Sequence, residues 1–227
     1  MKNRYLRNMK SLSVEENGKL KNFKVCVIGC GGLGGHIIEM LGRLGIGYIT
    51  CVDGDVFEET NLNRQILCDE ISLGQQKSLK AKNRMNLVNS EVYINSIVDL
   101  LTEDNAKEIL YGHDVIIDAL DNIKGRFILQ KVCKEINVPL IHGAIGGWFG
   151  QATTIFPGDD TLNYIYKNKT SELENKLGNP SFTPATIASI QVSEAIKVLL
   201  NKGDILRNKV LLVDLLFNEY NIVNIGK

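Results

Sequence analysis

Val25-Cys26-Val27-Ile28-Gly29-Cys30-Gly31-Gly32-Leu33-Gly34 opens on four apolar residues and passes at once into a run that is mostly glycine. An unbroken, β-branched apolar run reads as a strand buried on both faces. The segment from His36 to Leu44 then carries a helical period. Strand, glycine turn and helix in that order let backbone approach a phosphate, which the amide groups and dipole of the helix N-terminus attract. Alone, Gly29, Gly31, Gly32 and Gly34 say only that a nucleotide binds. Asp53 closes the next apolar run, Tyr48 to Val52, where an acid accepts hydrogen bonds from a ribose; capping its own loop is the structural alternative.

Outward from this core, short apolar runs keep alternating with longer helical segments, the mark of β-α-β units. Helices are expected at Gly74 to Val88, Gly125 to Ile136 and Thr186 to Leu200, the last with Pro184 as its start signal. Strands are expected at Val92 to Val98, Val115 to Ile117, Pro139 to His142, Gln151 to Phe156, Lys209 to Leu216 and Tyr220 to Ile225. The fold class is therefore α/β and Rossmann-like, a mostly parallel sheet flanked by helices with antiparallel strands added in the C-terminal part. The 227 residues fit a single domain over 1–227. Residues 1–22 form an N-terminal helical arm, and the polar, aperiodic stretch 159–180 is expected to be a flexible crossover loop.

Arg64 in Asn61-Leu62-Asn63-Arg64-Gln65 and Lys77 in Gly74-Gln75-Gln76-Lys77 come to the phosphate end of this site. A nicotinamide dehydrogenase needs no such pair. A triphosphate attacked at its α-phosphorus does, because fixed cations neutralise charge growing on the phosphoryl oxygens. Asp121, in Ile116-Ile117-Asp118-Ala119-Leu120-Asp121-Asn122, lies just past a parallel strand and can hold Mg²⁺, which favours one or two carboxylates plus phosphate oxygens. Arg126 opens the following helix or is a solvated surface arginine. His36, His113 and His142 are scattered, and each is given a structural role.

Together these motifs resemble the ThiF/MoeB/HesA family, bacterial relatives of ubiquitin-activating enzymes, from about Arg4 to Asn224. Five motifs stand in family order: the glycine loop, Asp53-x-Asp55, Asn61 to Gln65, Gly74-Gln75-x-Lys77, and Asp121-Asn122 with Arg126. The resemblance implies an adenylyltransferase. The C-terminal carboxylate of a small ubiquitin-like sulfur carrier ending in Gly-Gly attacks ATP, for sulfur transfer in thiamin, molybdopterin or related biosynthesis. It further implies that Asp53 holds the ribose, Arg64 and Lys77 the phosphates with help from Asn61, and Asp121 the Mg²⁺ and α-phosphate. Arg7, in Arg4-Tyr5-Leu6-Arg7, would reach the neighbouring subunit of a homodimer. Asp55, Gln65 and Asn122 complete the expected nucleotide-binding set. Adenylation of a peptide or of a tRNA base, and a noncatalytic nucleotide-binding partner, stay open as alternatives.

The chain also departs from that pattern. Where many members carry zinc-binding Cys-x-x-Cys pairs, this sequence reads Asn163-Tyr164-Ile165-Tyr166 and has no cysteine after Cys133, so no zinc is expected. Residues 159–180 hold no cysteine to accept the acyl group, which points to a reaction that ends at the adenylate, with a separate sulfur donor protein a possible partner. Gly143 to Gly150 is read as a thin path for a Gly-Gly tail, with Trp148 or Phe149 packing on it or simply filling core. The 26 basic residues balance 26 acidic ones, which tells against nucleic acid as the partner. No stretch approaches the roughly 18 apolar residues of a membrane span, and a cytoplasmic location is expected. The five cysteines read as buried, reduced thiols.

Overall fold

The computed structural model describes residues 3–167 and 177–225. The arm is a 3₁₀ turn, Asn3–Asn8, followed by α1 (Val14–Leu20), which Ser13 and Glu16 open with a reciprocal capping box. Then come β1 (Lys24–Ile28), α2 (Gly32–Leu44), β2 (Tyr48–Val52), α3 (Lys77–Val88), β3 (Tyr93–Ile97), α4 (Ala106–Leu110), β4 (Val115–Asp118) and α5 (Ile123–Ile136). The second half holds β5 (Leu140–Gly146), β6 (Phe149–Ile155), α6 (Thr161–Tyr166), α7 (Phe182–Leu200), β7 (Lys209–Asp214) and β8 (Glu219–Asn224).

Among the described residues the strands form one sheet in the order β3-β2-β1-β4-β5-β6-β7-β8. β3 through β5 pair in parallel, and β5 through β8 pair antiparallel, as the C-terminal runs led one to expect. Alternation along β1 divides the core: Val25 and Val27 face a layer that includes Ile37, Ile38 and Ile187, while Cys26 and Ile28 face Leu110, Leu129 and Leu162. All five cysteines are free, and Cys26, Cys30, Cys51 and Cys133 are buried. Burial pushes the Cys133 thiol up to about 12.

Several boundaries differ from the sequence reading, each for a local reason. α2 begins at Gly32, so Gly32, Gly34 and Gly35 lie inside its first turn, while Gly29 and Gly31 stay ahead of it. α3 begins at Lys77, because Gly74 has φ +79° and Gln76 is extended. α7 begins two residues before Pro184, whose missing N–H falls in a first turn that has no use for it. Gly143 to Gly150 is a hairpin and not a loop: β5 runs on through Gly146, Gly147 turns with φ +58°, and β6 returns from Phe149. The stretch read as a crossover loop contains α6, and its residues 168–176 lie outside the described residues.

Candidate functional site

The chain leaves β1 toward β2 and β3 on one side and returns to β4 on the other, so a crevice opens between the C-terminal ends of β1 and β4. A cleft of about 240 Å³ lies there. Gly29, Gly31, Gly32, Asp53, Asp55, Arg64, Gln65, Lys77, Asp121 and Asn122 all line it, drawn from five separate segments of sequence. Asn61, Gly34 and Arg7 do not line it. The Asn61 side chain is buried in a 3₁₀ turn three residues before Arg64, its Oδ1 accepting the Glu58 N–H at 3.1 Å.

The glycine loop is sterically enforced. Gly29 has φ +100°, and a Cβ there would lie 2.6 Å from the Ala119 carbonyl oxygen. A Cβ on Gly34 would lie 1.8 Å from the Gly29 oxygen, so Gly34 lets helix and loop touch. Asp53 braces the same loop: Oδ2 accepts the Cys30 N–H at 2.7 Å and Oδ1 the Asp55 N–H at 2.8 Å. Burial raises its carboxyl above the usual aspartate range, and the two backbone donors partly offset that rise. Each oxygen accepts one backbone bond and keeps capacity for a hydroxyl. Loop bracing and ribose binding are thus compatible in one side chain.

Lys77 is 8% exposed and its Nζ lies 3.1 Å from Asp55 Oδ2. This buried ammonium is held by a carboxylate that is itself exposed, an arrangement an incoming phosphate can share. Arg64 Nη1 donates to the Thr60 carbonyl and to Asn63 Oδ1, both at 3.0 Å, fixing its stem beside the loop. Asn122 Oδ1 caps α5 by accepting the Gly125 N–H at 2.8 Å. Asp121 just before it is exposed; among the described residues its carboxylate accepts only a long bond, 3.5 Å, from Asn122 Nδ2.

A divalent metal fits this geometry through Asp121. Among the described residues no three His, Cys, Asp or Glu side chains gather into a cage. One free carboxylate at the phosphate end suits Mg²⁺, which completes its shell with phosphate oxygens and water.

Several residues around the cleft had no site role in the sequence reading, or a setting that it did not give. Arg126 is not a solvated surface arginine: it is 1% exposed, with Nη1 2.9 Å from the Tyr166 hydroxyl and Nη2 2.9 Å from the Leu120 carbonyl. Asp118 and His142 are fully buried and paired at 2.6 Å. Asp99, Leu100, Leu101 and Asn179 also line the cleft from loops that carry no periodic signal. The polar residue Asp118 inside an apolar strand was the one available clue to the buried network.

The ThiF family profile matches residues 5–227. The SAMP-activating enzyme E1 of Haloferax volcanii is 34% identical over 218 residues, covering 93% of this chain and 80% of that protein. The adenylyltransferase and sulfurtransferase MOCS3 of Arabidopsis thaliana is 32% identical over 226 residues, 95% of this chain and 47% of its own length. The chain thus spans about half the length of the MOCS3 relatives it matches. A solved structure of E. coli MccB with AMPCPP and MccA aligns with TM-score 0.83 and 26% identity over 99% of this chain and 72% of that one. No helix among the described residues is long and apolar enough to cross a membrane. A profile match over nearly the whole length, joined to the motifs that line this cleft, makes the chain a member of the ThiF family.

Proposed function

We propose that the chain is an adenylyltransferase that activates the C-terminal carboxylate of a small ubiquitin-like sulfur carrier with ATP. The observation that carries this is the convergence of Arg64, Lys77 and Asp121 with the glycine loop on one cleft at the switch point of the sheet. ATP lies with its ribose on Asp53 and its phosphates against the amides at the start of α2. A carrier carboxylate oxygen attacks the α-phosphorus, the bond to the bridging oxygen of the β-phosphate breaks, and pyrophosphate leaves with that electron pair. The new acyl-adenylate has AMP as its leaving group. Asp121 would hold Mg²⁺, which would supply charge neutralisation on the phosphates. Arg64 and Lys77 stabilise the charge that grows on the phosphoryl oxygens, so no acid-base residue is needed. Arg7 serves the cleft of a second subunit in a homodimer, and the adenylate passes to a separate sulfur donor.

The likeness to MccB solved with MccA supports a second reading in which a peptide carboxylate replaces the carrier. Pyrophosphate-ATP exchange tests both. With a Gly-Gly carrier present, wild type exchanges label, while Asp121→Ala and Lys77→Ala lose about 100-fold or more. Exchange driven only by a short peptide shifts the acceptor to the second reading, and exchange surviving both substitutions removes the proposed mechanism.

A further inference from the structure

Tyr166, the last residue of α6, is 7% exposed, and among the described residues its oxygen meets three polar groups. Arg126 Nη1 and Gln151 Nε2, each at 2.9 Å, can only donate to it. Among the described residues, the phenol hydrogen faces His142 Nε2 at 3.0 Å. His142 then carries its own proton on Nδ1, which donates to Asp118 Oδ2 at 2.6 Å.

This chain of bonds ends on the peptide before Asp121. Asp118 Oδ1 accepts the Leu120 N–H at 2.9 Å, and Arg126 Nη2 donates to the Leu120 carbonyl at 2.9 Å. Leu120 is therefore gripped at both its N–H and its C=O by the buried network. The Asp121 carboxylate has only the long bond from Asn122 among the described residues, so its aim is set by the backbone in front of it. That backbone is set by Arg126 and Asp118, and Arg126 is fixed in turn by Tyr166, over whose ring its guanidinium also lies at 5.3 Å from the centroid.

We infer that Tyr166 is a positioning residue for the metal-nucleotide site: through Arg126 it fixes the Leu120 peptide and so aims Asp121. The inference rests on the reading that Asp121 holds Mg²⁺. It assigns α6 a part in nucleotide binding although α6 supplies no residue that lines the cleft.

Calorimetric binding of a non-hydrolysable ATP analogue, with and without MgCl₂, tests this without any carrier. Tyr166→Phe is expected to weaken binding about tenfold in Mg²⁺ while leaving metal-free binding nearly unchanged, as substitutions behind a metal ligand do. Thr154→Val is the control. It removes an equally buried hydroxyl bond, 2.6 Å to Glu194 Oε2, outside the network, and should lower the melting temperature without altering the Mg²⁺ response. If Tyr166→Phe does not fold, Arg126→Lys carries the same expectation, since one ammonium cannot hold the Leu120 carbonyl and the Tyr166 oxygen with guanidinium geometry. Equal weakening with and without Mg²⁺, or none, overturns the inference. A wild type whose affinity Mg²⁺ does not raise overturns it together with the role of Asp121. A wild type that responds to Mg²⁺ beside variants that respond just as strongly overturns the Tyr166 role alone.

Discussion

His113 Nδ1 lies 3.0 Å from the Leu110 carbonyl and Nε2 lies 2.8 Å from Thr50 Oγ1, so the neutral ring donates at one nitrogen and accepts at the other. Burial, with Lys24 adding to it, holds its pKa below the ordinary histidine value. The unfolded chain therefore takes up this proton first. Its contribution to stability is complete above about pH 6.5 and falls as pH drops through that value, by no more than about 1.4 kcal/mol per pH unit. Melting temperatures measured from pH 7.5 to 5 should decline, and His113→Gln should flatten part of that decline; an unchanged slope would contradict the assignment. Side chains such as Asp53, Lys77 and Asp121 were legible in the sequence because each sits at a strand end or helix start that local pattern marks. The buried setting of Arg126 was not, since its partners Tyr166 and Leu120 belong to a helix and a turn whose approach only the tertiary fold decides.

Elements set the site through close approach, and glycines on two helices show opposite signs of the same substitution. Alanine is the better helix former by about 1 kcal/mol. In α1 a Cβ on Gly18 meets nothing within 4 Å, so Gly18→Ala should raise stability by roughly 0.5–1 kcal/mol. In α2 a Cβ on Gly34 would overlap the Gly29 oxygen at 1.8 Å, and that obstacle is backbone of the nucleotide loop. Overlap outweighs propensity there. Gly34→Ala should destabilise by about 1–3 kcal/mol or more and weaken ATP binding, as chemical denaturation and calorimetry would read. Strands of the parallel half were legible almost to the residue, because burial on both faces writes them as unbroken apolar runs: Tyr48–Val52 ends where the sequence put it. The β5–β6 hairpin was not, since Gly143 and Gly150 sit in extended strands where α7 presses on the sheet. A Cβ would come 2.3 Å from Gln191 at one and 2.3 Å from Ile187 at the other. Glycines placed for close packing read in sequence like glycines placed for a loop.

At the scale of the molecule, the arm fixes where Arg7 can act. Asn89 Nδ2 donates to the Tyr5 hydroxyl at 2.8 Å, and Tyr5 packs on Gly45 at the C-terminal end of α2. α2 begins at the glycine loop and spans 13 residues, so Tyr5 is anchored about 20 Å from the phosphate end of its own cleft. Arg7 follows within the same 3₁₀ turn and is exposed. A catalytic role for it thus requires the cleft of another subunit, a relation that no period in the sequence could display. Subunit mixing separates the cases. Arg7→Ala and Asp121→Ala proteins are each expected to be inactive in pyrophosphate exchange. In a mixed dimer, the cleft that keeps Asp121 faces the arm that keeps Arg7, so one of its two sites is whole. Unfolding and refolding the two variants together at equal amounts yields mixed dimers as half the population, hence about a quarter of wild-type activity. If Arg7 acted within its own chain, every site in the mixture would lack one group or the other, and the activity would stay at that of the separate variants.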